Sequence, residues 1–324
     1  MSRIAPGDKA IDEAAALLRA GQLVAFPTET VYGLGALALD PTALGRIFAM
    51  KGRPPTHPLI AHVTDADAAA RLSTGWDERA QRLADRFWPG PLTIVVPRAP
   101  WVPVELSGGK PTVAIRSPAH PVARELILRV GAPLAAPSAN RYQTLSPTTA
   151  AHVARSFPTQ DLLILDGGPC AAGLESTVLD LTVSPPAVLR PGALPLGELR
   201  ALVPDVVLFG GSVDDETARH SPGQDAIHYA PRAPLRLLPR AEALALANAS
   251  VVLRGRGEPS RPDAVVLPDD AAGYGRALFA TLHALDDAGA TLIAVESPPD
   301  DEAWLAVADR LRRAAARESV EDDG

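Results

Sequence analysis

Two short stretches of this chain concentrate polar side chains where an apolar strand ends. The first, FPTETVYGLGALALD from Phe26, sets Thr28, Glu29, Thr30 and Tyr32 directly after the buried-strand pattern QLVAF, which begins at Gln22. Hydroxyls and carboxylates in such a place need partners, so this is not ordinary core. The second, MKGRPPTHPLIAHV from Met50, places Lys51 and Arg53 at a helix end, stiffens the exit with Pro54 and Pro55, and brings His62 back on a strand. Two cations on a rigid exit suit a polyphosphate, the arginine as a fork and the lysine as a point charge. The same two cations would also complement a helix dipole, so the pattern alone leaves both readings open. The choice of lysine is a weak pointer: only Lys9, Lys51 and Lys110 among 31 cationic residues are lysines, and the two cations differ in shape and hydration.

Two further segments repeat the design. In APLAAPSANRYQTLSPTT an apolar strand ends at Pro137, then Ser138 and Asn140 offer short hydrogen-bonding groups, and Ser146-Pro147-Thr148 reads as a helix N-cap. Turns and caps are the majority use of these types. In GLESTVLDL with AVLRPG, Glu175, Ser176 and Thr177 stand at the mouth of a strand and Arg190 closes the next. Arg116 ends a strand in TVAIR. Several strands finishing in polar residues are expected where a site is built at one edge of a sheet. Other chemistries are absent from the pattern. There is no G-x-x-x-x-G-K-[ST] phosphate loop. Gly33-Leu-Gly35-Ala-Leu-Ala38 matches a loose dinucleotide fingerprint, but PTETVY separates it from its strand and the helix begins only after Asp40, against what that loop requires. Cys170, the single cysteine, has no evident base beside it and excludes a disulfide framework or a thiolate zinc site.

The elements that must hold these residues alternate in type. Helices are expected at Asp12 to Ala20, Asp40-Pro41 to Met50, Asp77 to Phe87, Pro121 to Val130 and Thr148 to Ser156; strands are expected in LIAHV, PLTIVV, TVAIR, LLILD, STVLDL and AVLR. That is an α+β pattern with a large, twisted, mixed sheet. Gly-Gly, Asp-Asp and repeated Pro mark a linker at 204–233, which contains SPGQDAIHYAPRAP; His228 and Tyr229 are more than a plain spacer needs. Residues 1–203 then form a first domain and 234–324 a small α/β, Rossmann-like one with three or four short strands and a long helix from about Ala271 to Ala288.

The bulk numbers narrow the function. At 324 residues, two domains are the first expectation. A net charge of -7 argues against a large nonspecific nucleic-acid surface. The acidity is uneven, with 11 Arg or Lys against 16 Asp or Glu from Arg232 onward, so the first part is near neutral and free to focus positive potential in a cleft. No window is long and apolar enough for a secretory or membrane segment, and a cytoplasmic location is expected.

Taken together, PTETVYGLG, K-G-R followed by HPLIAH, TVAIRSPAHP, PSAN, and STVLDL with VLRPG resemble the YrdC-like domain of the threonylcarbamoyl-AMP synthases, in matching order from about Ile11 to Ala201. The linker and small domain resemble the longer type of that family. The resemblance implies ATP, L-threonine and bicarbonate as substrates, magnesium with the ATP, and downstream tRNA-modifying transferase proteins as users of the product, with direct tRNA contact left open. It implies that Thr30, Tyr32, His62, Arg116, Ser138 and Ser176 hold threonine, Arg116 as a carboxylate clamp. It implies that Lys51, Arg53, His57, Asn140, Ser146, Thr148 and Arg190 hold ATP, with Lys51 and Arg53 as catalytic cations and Tyr229 reaching over the nucleotide as part of a lid. His57 stands where many relatives have Asn. Magnesium ligands cannot be read from the sequence. Two rivals remain open on sequence alone: an RNA-binding module, against which the acidity argues, and a threonine or nucleotide sensor that kept the pocket and lost turnover.

Overall fold

The computed structural model describes residues 1–209, 228–255 and 261–321. The SPGQDAI part of the linker therefore lies outside the described residues. One mixed sheet is built from β1 (Arg3–Ala5), β2 (Val24–Phe26), β3 (Gly33–Leu37), β4 (Ile60–His62), β5 (Leu92–Pro97), β6 (Thr112–Arg116), β7 (Leu134–Ala135), β8 (Leu163–Leu165), β9 (Thr177–Asp180), β10 (Ala187–Arg190) and β11 (Val207–Leu208). Their order in space is β1-β8-β2-β3-β7-β4-β6-β5-β9-β10-β11. Two parallel registers bring polar residues of separate segments side by side. β4 pairs with β6 so that His62 stands opposite Arg116. β5 pairs with β9 so that Leu92 stands opposite Thr177 and Thr93 opposite Val178, which brings Thr93 close to Ser176.

Strand alternation sets the layers. Val24 and Phe26 of β2 enter one core with the apolar faces of helices Asp8–Arg19 and Pro121–Val130. Ala25, between them, enters the opposite core with helices Pro41–Lys51 and Glu78–Phe87. Successive side chains of a strand point to opposite faces, so β2 is buried on both, and each large apolar side chain it covers contributes about 1.5–3 kcal/mol.

Departures from the expected elements have local causes. The first helix begins at Asp8 rather than Asp12 because its opening turn is polar and carries no apolar period. GLGAL, for which no strand is expected from the sequence, forms β3, and Gly35 is needed there: a Cβ would lie 2.6 Å from the Phe26 ring. The helix expected from Thr148 begins at Ala150, with Thr149 rather than Ser146 as its N-cap. The Thr149 hydroxyl accepts from His152 N at 3.3 Å, and Ser146 is left for another contact. Val207–Leu208, within the segment read as linker, pairs parallel with β10.

The C-terminal unit is a parallel sheet of β12 (Leu235–Leu238), β13 (Ser250–Arg254), β14 (Val265–Leu267) and β15 (Ile293–Glu296), ordered β12-β15-β13-β14. Helices Ala271–Asp287 and Leu305–Glu321 accompany it. It docks through one apolar cluster that joins Val31, Leu145 and Leu174 to Tyr229, Tyr274, Phe279 and Val307. The approach is close enough to require glycine: a Cβ on Gly173, whose φ is +74°, would meet Arg276 Cα at 2.5 Å. Among the described residues, no helix is long and apolar enough to cross a membrane.

Candidate active site

The polar strand ends converge on one small cavity of about 40 Å³. Its wall includes Thr30, Arg53, His62, Arg116, Ser138 and Ser176. Arg190, Glu175, His228 and Tyr229 complete the polar part of the lining.

The threonine-rich loop is organised by its own side chains. The Thr28 hydroxyl donates to Val31 O at 2.6 Å, and Thr30 N and Val31 N both donate back to it at 3.2 Å. That turn aims the Thr30 hydroxyl at Arg116, whose Nη1 donates to it at 2.9 Å. Arg116 Nη2 lies 2.7 Å from Glu29 Oε1, an ion-pair contact not aligned as a hydrogen bond. Nε of Arg116 donates to Gly90 O at 3.3 Å. Burial pushes the Glu29 carboxyl up, but the adjacent Arg116 charge and backbone donors, Ala119 N among them at 3.0 Å, more than offset it, and the net direction is down. Glu29 is thus a charged partner built in behind Arg116. The need of a carboxylate in that cluster for a cation is its only signal in the sequence.

His62 is buried beside Arg116, and its Nδ1 lies 3.2 Å from Ile60 O, which can only accept. Burial, then the Arg116 charge, pushes its pKa down to about 3, so the ring is neutral near pH 7. Ser176 shares a 2.7 Å hydrogen bond with Thr93. Arg190 clamps the same residue, with Nη2 donating to Ser176 O at 2.9 Å and to Ser176 Oγ at 3.0 Å. Arg53 lines the cavity and donates from Nη2 to Pro58 O at 3.1 Å.

Other residues named from the sequence stand behind the wall. Lys51 is buried and its Nζ donates to Ser138 O and Asn140 O, both at 2.6 Å. Desolvation, with repulsion from Arg53, pulls its pKa well below the ordinary lysine value. It holds the S-x-N loop in place instead of lining the cavity. A compact ammonium fits between two carbonyls as a planar guanidinium would not, which accounts for a lysine in this arginine-rich chain. Asn140 Nδ2 donates to Arg141 O and Thr144 O, while its Oδ1 is buried without a hydrogen-bond partner. Tyr32 turns away and donates from its hydroxyl to Gly168 O at 2.8 Å. His57 packs edge-on against Tyr142 at 5.6 Å. Thr148 contacts His152 Nδ1, and Ser146 donates to Glu175 Oε1 at 2.5 Å.

The linker closes the cavity. Tyr229 is buried at 1% exposure, with φ of 60°. A bulky residue in the left-handed region is strained by about 1–3 kcal/mol, so packing must hold it. His228 packs edge-on against it at 3.9 Å and Phe279 lies 5.7 Å away. Burial pushes the Tyr229 hydroxyl up to about 12, so it is neutral and a donor. Among the described residues, no group of three or more His, Cys, Asp or Glu could hold a metal. The glutamates beside the cavity, Glu29 and Glu175, are engaged with Arg116 and Arg310.

The chain matches known proteins over most of its length. Residues 16–192 match the Sua5–YciO–YrdC family model, described as "Telomere recombination", and residues 195–316 match "Threonylcarbamoyl-AMP synthase, C-terminal domain". The threonylcarbamoyl-AMP synthase of Pyrococcus abyssi is 42% identical over 93% of this chain and 93% of its own. That of Bacillus subtilis is 37% identical over 96% and 94%. The crystal structure of P. abyssi Sua5 complexed with L-threonine superposes with a TM-score of 0.89 at 40% identity, over 97% of each chain.

Proposed function

This chain belongs to the threonylcarbamoyl-AMP synthase family and is a nucleotidyltransferase-type enzyme, and on that premise we propose that it makes threonylcarbamoyl-AMP and pyrophosphate from L-threonine, bicarbonate and ATP. The product is the activated intermediate for threonylcarbamoyladenosine in tRNA, with transfer left to other proteins in the cytoplasm. The observation that carries the reading is the charge of the cavity: three arginines, Arg53, Arg116 and Arg190, line it against one glutamate. Such a wall suits a carboxylate, a carbamate and a triphosphate brought together.

In the reaction, bicarbonate takes up a proton and loses water to give carbon dioxide, and the threonine amine adds to this and loses a proton to give a carbamate. A carbamate oxygen then attacks the α-phosphorus of ATP, and the bond from that phosphorus to the oxygen bridging it to the β-phosphate breaks, releasing pyrophosphate. No protein nucleophile is needed; positioning and charge stabilisation carry the step. Arg116, backed by Glu29, and the Thr30 hydroxyl hold the threonine carboxylate, and neutral His62 and Ser176 hold the rest of that substrate. Arg53 and Arg190 face the phosphates. Ser138 and Asn140, fixed by Lys51, shape the nucleotide side with Ser146 and Thr148. Magnesium would enter with the ATP and offset phosphate charge, since both nearby glutamates are already engaged with arginines.

A cavity of about 40 Å³ is far below the roughly 300–1,000 Å³ of ligand pockets, so Tyr229 and His228 must swing aside for substrates and close again over unstable intermediates. The test is pyrophosphate release from purified protein with MgATP, comparing threonine, serine and no amino acid, with and without bicarbonate. Release that needs both threonine and bicarbonate is expected. Release indifferent to either, or none, would remove the reading.

A further inference from the structure

The C-terminal domain reaches the candidate site through one side chain. Arg310, on helix Leu305–Glu321, has a side chain with no exposed surface, and its Nε lies 2.7 Å from Glu175 Oε2. The other Glu175 oxygen accepts from the Ser146 hydroxyl at 2.5 Å. On its opposite side, the Arg310 guanidinium carbon stands 4.9 Å from the centroid of the Tyr229 ring, within cation–π range. Asp309 steadies the fork by accepting from Arg310 Nη1 at 2.6 Å and from Arg313 Nε at 2.9 Å. The backbone is tied in as well, since His228 N donates to Arg313 O at 3.2 Å. One guanidinium thus touches the carboxylate that holds Ser146 and the aromatic ring that closes the cavity, and both of those residues belong to other parts of the chain.

A buried ion pair adds little net stability over well-packed apolar residues, so domain docking alone does not require an arginine here. The apolar cluster of Val31, Leu145, Leu174, Phe279 and Val307 already joins the two units. What Arg310 adds is direction. It fixes which way Glu175 points, and it gives Tyr229, whose backbone is in the left-handed region, a face to rest on.

We propose that Arg310 of the C-terminal domain is a positioning residue for the nucleotide half of the site, acting through Glu175 on Ser146 and through its face on Tyr229. The inference rests on the reading of that half as the ATP seat. It gives the C-terminal domain a task in catalysis: the nucleotide pocket has its working shape only while helix Leu305–Glu321 is docked.

The test uses the full chain with Arg310→Met, which keeps volume and loses charge and fork, and Arg310→Lys, which keeps charge. Melting temperature, the KM for ATP, the KM for threonine and kcat are measured, and ATP binding is measured directly by calorimetry. The expected result for Arg310→Met is an ATP KM and dissociation constant raised about tenfold, with threonine KM and saturated kcat within about twofold. Arg310→Lys should recover part of the loss, since it restores the charge opposite Glu175 without the planar face. Should Arg310→Met fail to fold, Arg310→Lys and Glu175→Gln carry the test, each with a selective rise in the ATP constants. Unchanged ATP constants in folded variants overturn the inference, and so does an equal loss in the threonine and ATP constants that follows the melting temperature. A wild type that binds ATP without turnover removes the functional reading, and the dissociation constants still decide the inference. A wild type that does not bind ATP overturns both.

Discussion

The two halves of the cavity are built on different principles. Thr30, His62, Arg116 and Ser176 stand in or beside strands of one sheet, held by neighbours a few residues away or by another part of the same sheet. Ser146 and Tyr229 belong to a half whose shape depends on contacts with the second domain, from Glu175 to Arg310 and from Tyr229 to Phe279. The inner half takes its contacts from the sheet, and the outer half takes part of its own from the second domain. A small polar substrate gains from a rigid seat, whereas a nucleotide that must enter and be sealed in gains from a wall that can open.

The largest break in that contrast is Arg116→Ala. It removes the ion partner of Glu29 and a donor to Thr30, leaving a buried carboxylate uncompensated, which costs about 3–5 kcal/mol. Threonine-dependent pyrophosphate release should fall by about 100-fold or more, while ATP binding in the folded fraction persists. Adding Glu29→Gln should restore most of the stability, read by urea unfolding, and none of the activity. Substantial release by the single variant would mean that threonine sits elsewhere.

The inner half is also the more legible one. PTETVY after QLVAF, His62 on LIAHV and Arg116 at the end of TVAIR carry their meaning locally, because a polar residue at a strand end already says where it points. The strands and helices around them follow from periodicity, except where the short strand Gly33–Leu37 hides behind its glycines. The outer half cannot be read this way. Ser146 reads as a helix cap, yet it holds Glu175; Lys51 reads as a phosphate cation, yet it holds two carbonyls. Arg310, one of several arginines around RLRR, carries no sign at all. The contacts of Ser146, Lys51 and Arg310 span 29, 87 and 135 residues. Separations of that size leave no trace in composition or periodicity, and a backbone carbonyl as partner leaves none in residue type.

Lys51→Arg sharpens the same contrast with a smaller effect. If Lys51 acts as a point charge on phosphate, an arginine preserves much of its role. If it acts as the strut seen under Ser138 and Asn140, the guanidinium is too large for a seat between two carbonyls. The strut predicts a stability loss of about 1–3 kcal/mol from the broken buried hydrogen bonds and an ATP KM raised about tenfold, with threonine KM changed less. Chemical denaturation and steady-state kinetics on the one protein separate the two roles.

The smallest effect expected is acid sensitivity that begins in the outer half. His152 and His283 stack across the domain contact with ring centroids 3.9 Å apart. His283 reaches Ser146 O at 3.1 Å and His152 contacts Thr148. Burial, then the charges of His283 and Arg155, pushes His152 down to about 3. Burial also lowers His283, with Arg155 acting the same way and Asp286 and Asp287 opposing it. A depressed histidine pKa means that the folded state prefers the neutral ring. The stability it contributes is complete above the ordinary value near 6.5 and is lost as pH falls from there toward 3. Protonation would set two like charges face to face at the back of Ser146 and Thr148. As pH falls from about 6.5 toward 3 the docked outer half should loosen first, so the ATP KM should rise before the threonine KM, and His283→Gln, which keeps a donor for Ser146 O, should flatten that rise. His62 is also held near 3, but it lies inside the first domain, so the threonine KM should change only toward the acid end of that range, after the ATP KM has begun to rise. Equal pH dependence of the two constants would place the acid-sensitive group in the shared wall and erase the distinction between the halves.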